Sequence, residues 1–148
     1  MKDMCEPMHG HLYSIMRVVV GLLFLLIGIG KFQKGMVATI WPFGVVAVIE
    51  VLVGVLLILG LWVNKGALLG AIAMFVAFFV YHTFGLMGDA GVVFNINPMT
   101  NGGERALLYL FLFLMFHMYG AGKLSMDAKM GKSPKVEESP PAEENPEA

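Results

Sequence analysis

Four long apolar runs constrain what this chain can fold into more than any other feature. They cover Ser14–Gly30, Pro42–Val63, Gly66–Phe84 and Ala106–Gly122. Each has about 17–22 residues, the length that a helix needs to cross the hydrocarbon of a bilayer. The composition agrees, since 57% of the residues are hydrophobic and 14% are charged, whereas a soluble domain is about half apolar and about a quarter charged. The sequence therefore predicts an all-α membrane protein, an antiparallel bundle of four transmembrane helices.

Two flanking segments complete the predicted organisation. Residues 1–13 are expected to form a cytoplasmic N-terminal segment, residues 14–127 the transmembrane domain, and residues 128–148 a tail. The tail is acidic, rich in proline and nearly free of apolar side chains. It cannot bury enough apolar surface to order itself, so it is predicted to be disordered. The first apolar run has no Ala-x-Ala-like cleavage site and is interpreted as a retained helix.

The distribution of basic residues predicts an orientation. The connections after the first and third runs hold only Lys31, Lys34 and Arg105. The chain ends and the short loop between the second and third runs hold Lys2, Arg17, Lys65, Lys123, Lys129, Lys132 and Lys135. Because cytoplasmic loops of membrane proteins carry an excess of lysine and arginine, both termini are predicted to be cytoplasmic.

Glu50 is the most informative polar residue, because it lies inside the second apolar run. Helix rise places it roughly 10 Å below the nearer end of that run. A carboxylate at such a depth is costly unless it is paired or protonated, so we expect Glu50 to face the bundle interior. Lys31, on the last turn of the first run, is its expected partner. Two interpretations stay open: a contact for an ion, a proton or a quinone head group, and a purely structural pair.

Further polar residues are predicted at the two ends of the bundle. His82, Glu104 and Arg105 lie at the same membrane level as Lys31 and Glu50, and all five are expected to converge there. His82 and Glu104 thereby join Glu50 and Lys31 as candidates for a quinone or proton site. At the opposite end, Arg17 and Asp127 are predicted to form a clamp that joins the first and last helices.

Other chemistry finds little support in the sequence. Cys5, His9 and His11 are only weak candidates for metal ligands, because their spacing matches no known site, and no metal is predicted. A nucleotide-binding glycine motif, a nucleophile–base signature and a basic patch for nucleic acid are all absent. Hydrolytic and nucleotide chemistry and a nucleic-acid partner are therefore not expected.

A set of short motifs, in a fixed order, resembles the DoxX family of small four-helix membrane proteins. The resemblance covers roughly Tyr13–Asp127. It rests on Arg17, Gly21, Gly28, Lys31 and Phe32 in the first run, on Glu50, Gly54 and Leu57–Leu61 in the second, and on Glu104, Ala106, Leu108, Tyr109 and Gly120–Asp127 at the end.

The resemblance implies a multi-pass protein of a bacterial or archaeal plasma (inner) membrane. Relatives include the membrane subunit of thiosulfate:quinone oxidoreductase, which suggests an accessory subunit of a membrane redox system with quinone as the possible cofactor. The expected partners are the lipid bilayer and a cytoplasmic or membrane redox enzyme. Two alternatives stay open: a small proton- or solute-coupled transporter built as a homo-oligomer, and a non-enzymatic scaffold that recruits cytoplasmic enzymes through its tail.

Overall fold

The computed structural model describes residues 2–34, 43–85, 94–122 and 124–131, with side chains for residues 10–34 and, within those ranges, from residue 44 onward. All regular structure in these ranges is helical and none of it is strand, which confirms the all-α prediction. The helices are α1 (Lys2–Gln33), α2 (Phe43–Leu59), α3 (Val63–Val76, continued by a π-helical segment, Ala77–Thr83), α4 (Pro98–Asn101), α5 (Glu104–Tyr119) and α6 (Met126–Lys129).

Local sequence explains where several helices begin and end. Gly60 (φ 68°) and Trp62 (φ 47°) take left-handed conformations in the tight turn between α2 and α3. Gly120 (φ 75°) ends α5, as expected for a residue without a β-carbon at a helix C-terminus. The side chains of Asn97 and Ser125 accept hydrogen bonds from backbone N–H groups in the first turns of α4 and α6, which is ordinary N-capping.

The four long helices form a closed bundle in which each helix runs antiparallel to its neighbours. On α1 and α2, Gly21 meets Leu57 whereas Gly28 meets Ala47, so residue numbers rise on one helix as they fall on the other. The same reversal relates α2 to α3, and α3 to α5. It also relates α1 to α5, because Tyr13 packs on Phe116 and Phe24 packs on Tyr109.

Glycines set the closest helix contacts. A β-carbon on Gly54 would lie 2.8 Å from the Leu25 backbone nitrogen, and one on Gly21 would lie 3.0 Å from the Gly54 carbonyl oxygen. These spacings leave no room for any larger residue. Close backbone approach through small residues is the usual way in which helices associate in lipid.

The bundle is apolar inside and outside. Its interior holds fully buried side chains such as Phe24, Val53, Leu57, Phe113 and Phe116. Its outer surface exposes large apolar side chains on every long helix, among them Leu12, Ile15, Leu22, Leu26, Val48, Leu52, Ile72, Phe75, Leu108, Phe111 and Met118. Soluble monomers rarely expose so much contiguous apolar surface. The natural solvent for this outer surface is lipid.

Two helical stretches are long and apolar enough to cross a membrane, Gly10–Gln33 and Val63–Thr83, and a shorter apolar stretch covers Gly44–Leu59. At both ends of the chain, helical structure extends beyond the predicted transmembrane domain. Helix α1 begins at Lys2, before the apolar run that starts at Ser14, because a helix satisfies its own backbone hydrogen bonds whether or not its side chains are apolar. Helix α6 ends at Lys129, two residues beyond the predicted domain, and residues 132–148 of the predicted tail lie outside the described residues.

Candidate functional site

The structure brings Lys31 and Glu50 together as an ion pair between α1 and α2. The Nζ atom of Lys31 lies 2.6 Å from Oε1 of Glu50. The Glu50 side chain is 3% exposed and that of Lys31 is 20% exposed. The ammonium group of the pair therefore lies near the surface of the bundle, and the carboxylate lies in its interior.

Gly28 determines how closely Glu50 approaches α1. A β-carbon on Gly28 would lie 3.0 Å from the Glu50 β-carbon and 3.0 Å from the Ala47 carbonyl oxygen. With hydrogen in that place, α2 packs directly on α1. Lys31 lies three residues further along α1, on the same helix face, and reaches back to the carboxylate. Lysine is also favoured electrostatically in the last turn of a helix.

The second carboxylate oxygen of Glu50 is the unusual atom of the site. Oε2 is buried and has no hydrogen-bond partner among the described residues. Leaving such an oxygen unsatisfied costs about 1–3 kcal/mol. In a membrane interior, where ionisable side chains are expensive, an oxygen held in this state is a candidate for contact with a proton or a polar ligand.

An aromatic cluster lies one helical turn below Gly28. The ring of Phe24 packs 4.7 Å from that of Phe113 and 5.3 Å from that of Tyr109, measured between centroids. Tyr109 also stacks on Phe113 at 5.8 Å. Phe24 and Gly28 are four residues apart, so they share one face of α1. The aromatic cluster therefore lies one helical turn from the contact between Gly28 and Glu50.

Of the five polar residues predicted to converge at this end, the described contacts join Lys31 to Glu50, and the convergence of the other three stays a prediction. Among the described contacts, His82 and Glu104 make none with Glu50: His82 Nδ1 lies 3.0 Å from the Asn101 carbonyl oxygen, and Glu104 and Arg105 are exposed. The reason is helix phase. Ala106 and Phe113 define the buried face of α5, which turns the two preceding residues outward.

The opposite end of the bundle is organised around Arg17, which is 1% exposed. Its guanidinium donates hydrogen bonds to the carbonyl oxygens of Ala121 and Leu124, the second at 2.7 Å. These carbonyls belong to the segment that follows α5. A buried guanidinium thus fastens this segment to α1, with its planar fork on two backbone acceptors.

The predicted clamp between Arg17 and Asp127 is an electrostatic interaction between the two side chains and not a direct ion pair. Asp127 accepts a hydrogen bond from the Val63 backbone N–H at 3.1 Å through Oδ2, and its own N–H donates to the Gly60 carbonyl oxygen at 3.0 Å. The described residues show no ion pair between Asp127 and Arg17. The aspartate satisfies an N–H that the start of α3 leaves free, so each residue holds a different part of the chain.

A reciprocal contact between α3 and α5 at this same end was not predicted from the sequence. The Asn64 side chain donates to the His117 carbonyl oxygen at 2.7 Å, and His117 Nδ1 lies 2.9 Å from the Asn64 carbonyl oxygen. The Tyr13 hydroxyl donates to the Gly120 carbonyl oxygen at 2.7 Å. These partners are far apart in sequence, so no local pattern signals them.

The weak metal candidates all lie near the start of α1. The side chains of Cys5 and His9 are not among those that the structure describes, and the side chain of His11 is exposed. No group of three histidine, cysteine, aspartate or glutamate side chains comes together among the described residues.

Comparison with known proteins identifies a matching family and a relative of this chain. A family model described as DoxX matches residues 12–83, which include Arg17, Lys31 and Glu50. An uncharacterized protein of Haemophilus influenzae is 34% identical, over an alignment that covers 86% of this chain and 96% of the relative. No solved structure matches the chain.

Proposed function

The chain belongs to the DoxX family of membrane proteins, and from this premise we propose that it is an accessory subunit of a membrane redox system. Its four long helices would cross the membrane, and a quinone head group would bind beside Glu50 and Lys31. The observation that carries the proposal is the buried Glu50 carboxylate, with one oxygen paired to Lys31 and the other without a partner among the described residues.

The bundle geometry supports four crossings. Helices α2 and α5 have 17 and 16 residues, or about 26 Å and about 24 Å of helix rise. They run beside α1 and α3, which are long enough to span on their own. Because helices in one bundle share the same bilayer, the two shorter helices would cross with modest thinning of the lipid around them.

An orientation with cytoplasmic termini follows from the positive-inside rule. Lys65 and Lys129 lie at the Arg17 end of the bundle, the end to which both chain termini lead. In a Cys5→Ser background, Lys65→Cys should resist a membrane-impermeant thiol reagent in intact cells, and Glu104→Cys should react. The reverse labelling pattern would contradict this orientation.

Glu50 and Lys31 together suit a group that exchanges protons as it exchanges electrons. Oxidation of a quinol releases two electrons and two protons, and reduction of the quinone consumes them. Glu50 Oε2, which has no hydrogen-bond partner among the described residues, would accept or return one of these protons, and the Lys31 ammonium would compensate the carboxylate charge. The electrons would pass to a redox centre of a partner enzyme. The partly buried Tyr109 offers a ring face against which a planar head group can stack.

The proposal is tested by Glu50→Gln, with Glu104→Gln as the matched control at the same end of the bundle. The Glu50→Gln variant should fold, because the amide keeps the size of the side chain. It should lose both co-purifying quinone and quinone-dependent electron transfer in membranes, while the Glu104→Gln variant keeps them. Normal quinone content and electron transfer in the Glu50→Gln variant would refute the proposal.

A further inference from the structure

A ten-residue loop at the Glu50 end of the bundle, residues 94–103, combines an internally bonded backbone with an apolar outer surface. We call it the asparagine loop. It carries no charged residue, and three of its members are asparagines. It contains α4 and leads directly into α5, and residues 86–93, which lie outside the described residues, separate it from the end of α3.

The polar side chains of the asparagine loop bind within the loop itself. Asn95 Nδ2 donates to Thr100 Oγ1 at 3.0 Å, and Asn95 Oδ1 accepts from the Asn97 N–H at 3.0 Å. Asn97 Oδ1 accepts from the Met99 N–H at 3.1 Å. Asn101 donates to the Asn95 carbonyl oxygen at 2.8 Å and accepts from the Gly103 N–H at 2.7 Å. These bonds lower the cost of removing the loop from water.

The apolar side chains of the same loop point outward. Phe94 is 65% exposed, Ile96 is 58% exposed and Met99 is 74% exposed. The Phe94 ring lies 5.7 Å from that of Phe84, which is itself exposed at the end of α3. The apolar surface of the loop is therefore continuous with the apolar surface of the helices.

The loop is fastened to the bundle at both of its ends. The Asn95 N–H donates to the Thr83 carbonyl oxygen at 2.9 Å, and the Asn101 carbonyl oxygen contacts His82. Gly103 packs so tightly that a β-carbon there would lie 2.8 Å from the Phe78 ring. The three exposed side chains are thus presented on a fixed support.

We propose that the asparagine loop is a membrane-interface anchor, which inserts Phe94, Ile96 and Met99 into the boundary between lipid head groups and acyl chains. Lipid is the occupant that the observations favour for two reasons. The loop surface continues the helix surface that already lies in lipid, and the absence of charge in the loop removes the main penalty for entering the interface. The anchor would hold the adjoining ends of α3 and α5 at a fixed depth. This proposal does not depend on quinone binding.

The test measures the depth of a fluorescent probe in the full-length protein. In a Cys5→Ser background, an environment-sensitive NBD label is attached to Met99→Cys or Ile96→Cys, and the protein is reconstituted in phosphatidylcholine vesicles. The control label is attached to Glu104→Cys, an exposed position at the same end. Spin-labelled lipids with the quencher near the head group report contact with the interface, and iodide reports contact with water.

The two loop probes should emit at shorter wavelength than the control probe. Lipid quenching should be several-fold stronger for them, and iodide quenching several-fold weaker. Quenching by iodide equal to that of the Glu104→Cys probe would show that the loop lies in water and would refute the proposal. Protection from both quenchers would show that protein covers the loop, and would refute it equally. Because two positions are labelled separately, a folding defect at one of them does not remove the test.

Discussion

Gly28 of α1 and Glu50 of α2 meet at a point where no β-carbon fits between the helices: one built on Gly28 would lie 3.0 Å from the β-carbon of Glu50. The contact explains how a carboxylate comes to be buried between two apolar helices. It also ties the position of the acid to the spacing of the helices, so a change at Gly28 should move Glu50.

Gly28→Ala should destabilise the bundle by about 1–3 kcal/mol, the usual cost of overpacking. The added methyl group would meet the Ala47 carbonyl oxygen at 3.0 Å, and backbone cannot move aside as a flexible side chain can. Gly30→Ala is the matched control, because a β-carbon there meets nothing within 4 Å. It should be neutral or stabilising by up to about 1 kcal/mol through helix propensity. Reversible unfolding in mixed micelles measures both, and equal stabilities of the two variants would contradict the packing argument.

Lys31→Met should destabilise the protein more than Lys31→Met combined with Glu50→Gln. The single change leaves a buried carboxylate without its cation, at a cost of about 1.5–3 kcal/mol for a charged hydrogen bond. The double change removes the charge as well as its partner, so part of the stability should return. A double-mutant cycle on unfolding free energies measures the coupling. Strictly additive effects would show that the pair contributes nothing.

Arg17→Lys should loosen the segment that follows α5, although the positive charge is kept. The guanidinium fork serves the carbonyl oxygens of Ala121 and Leu124 together, and a lysine ammonium does not reproduce this planar geometry. Amide hydrogen exchange in residues 120–131 should become faster, while exchange at the Glu50 end should not change. Unchanged protection of residues 120–131 would show that other contacts hold the segment.

Asp127→Ala should cost about 1–2 kcal/mol, because it leaves the Val63 N–H at the start of α3 without its acceptor. Asp127→Asn should cost less, since an amide oxygen can still accept the bond. Thermal unfolding in detergent of the two variants and the wild type gives the order directly. If asparagine proved as harmful as alanine, the negative charge rather than the hydrogen bond would be the important feature of Asp127.

Much of the fold could be predicted from local sequence. Apolar runs indicated the approximate positions of the long helices, because helix length and apolar side chains are properties of contiguous residues. Burial of Glu50 and its pairing with Lys31 followed from helix rise and the cost of an isolated charge in lipid. The apolar run did not indicate where α1 begins, since apolarity marks the part of a helix that lies in lipid and not the end of the helix.

The Arg17 end could not be predicted in the same way. Arg17 and Asp127 were predicted to form a clamp by charge, and their side chains do interact electrostatically, but the sequence did not indicate their hydrogen-bond partners. In the structure both side chains form hydrogen bonds with backbone groups that are distant in sequence. Arg17 donates to the Ala121 carbonyl oxygen, and Asp127 accepts from the Val63 N–H. Which carbonyl or N–H group lies free beside a buried side chain depends on where distant turns come together.

The sequence by itself thus determined the helical class of this protein, its affinity for lipid and the residue whose burial demands a partner. Each of these depends on side-chain chemistry that acts over a few turns of one helix. Three features were decided by the tertiary structure alone. Gly28 lets Glu50 pack against α1, Glu50 Oε2 has no hydrogen-bond partner among the described residues, and the asparagine loop exposes its apolar side chains. Those outcomes depend on how four helices fit against each other, and the fit is a property of their joint packing rather than of any one segment.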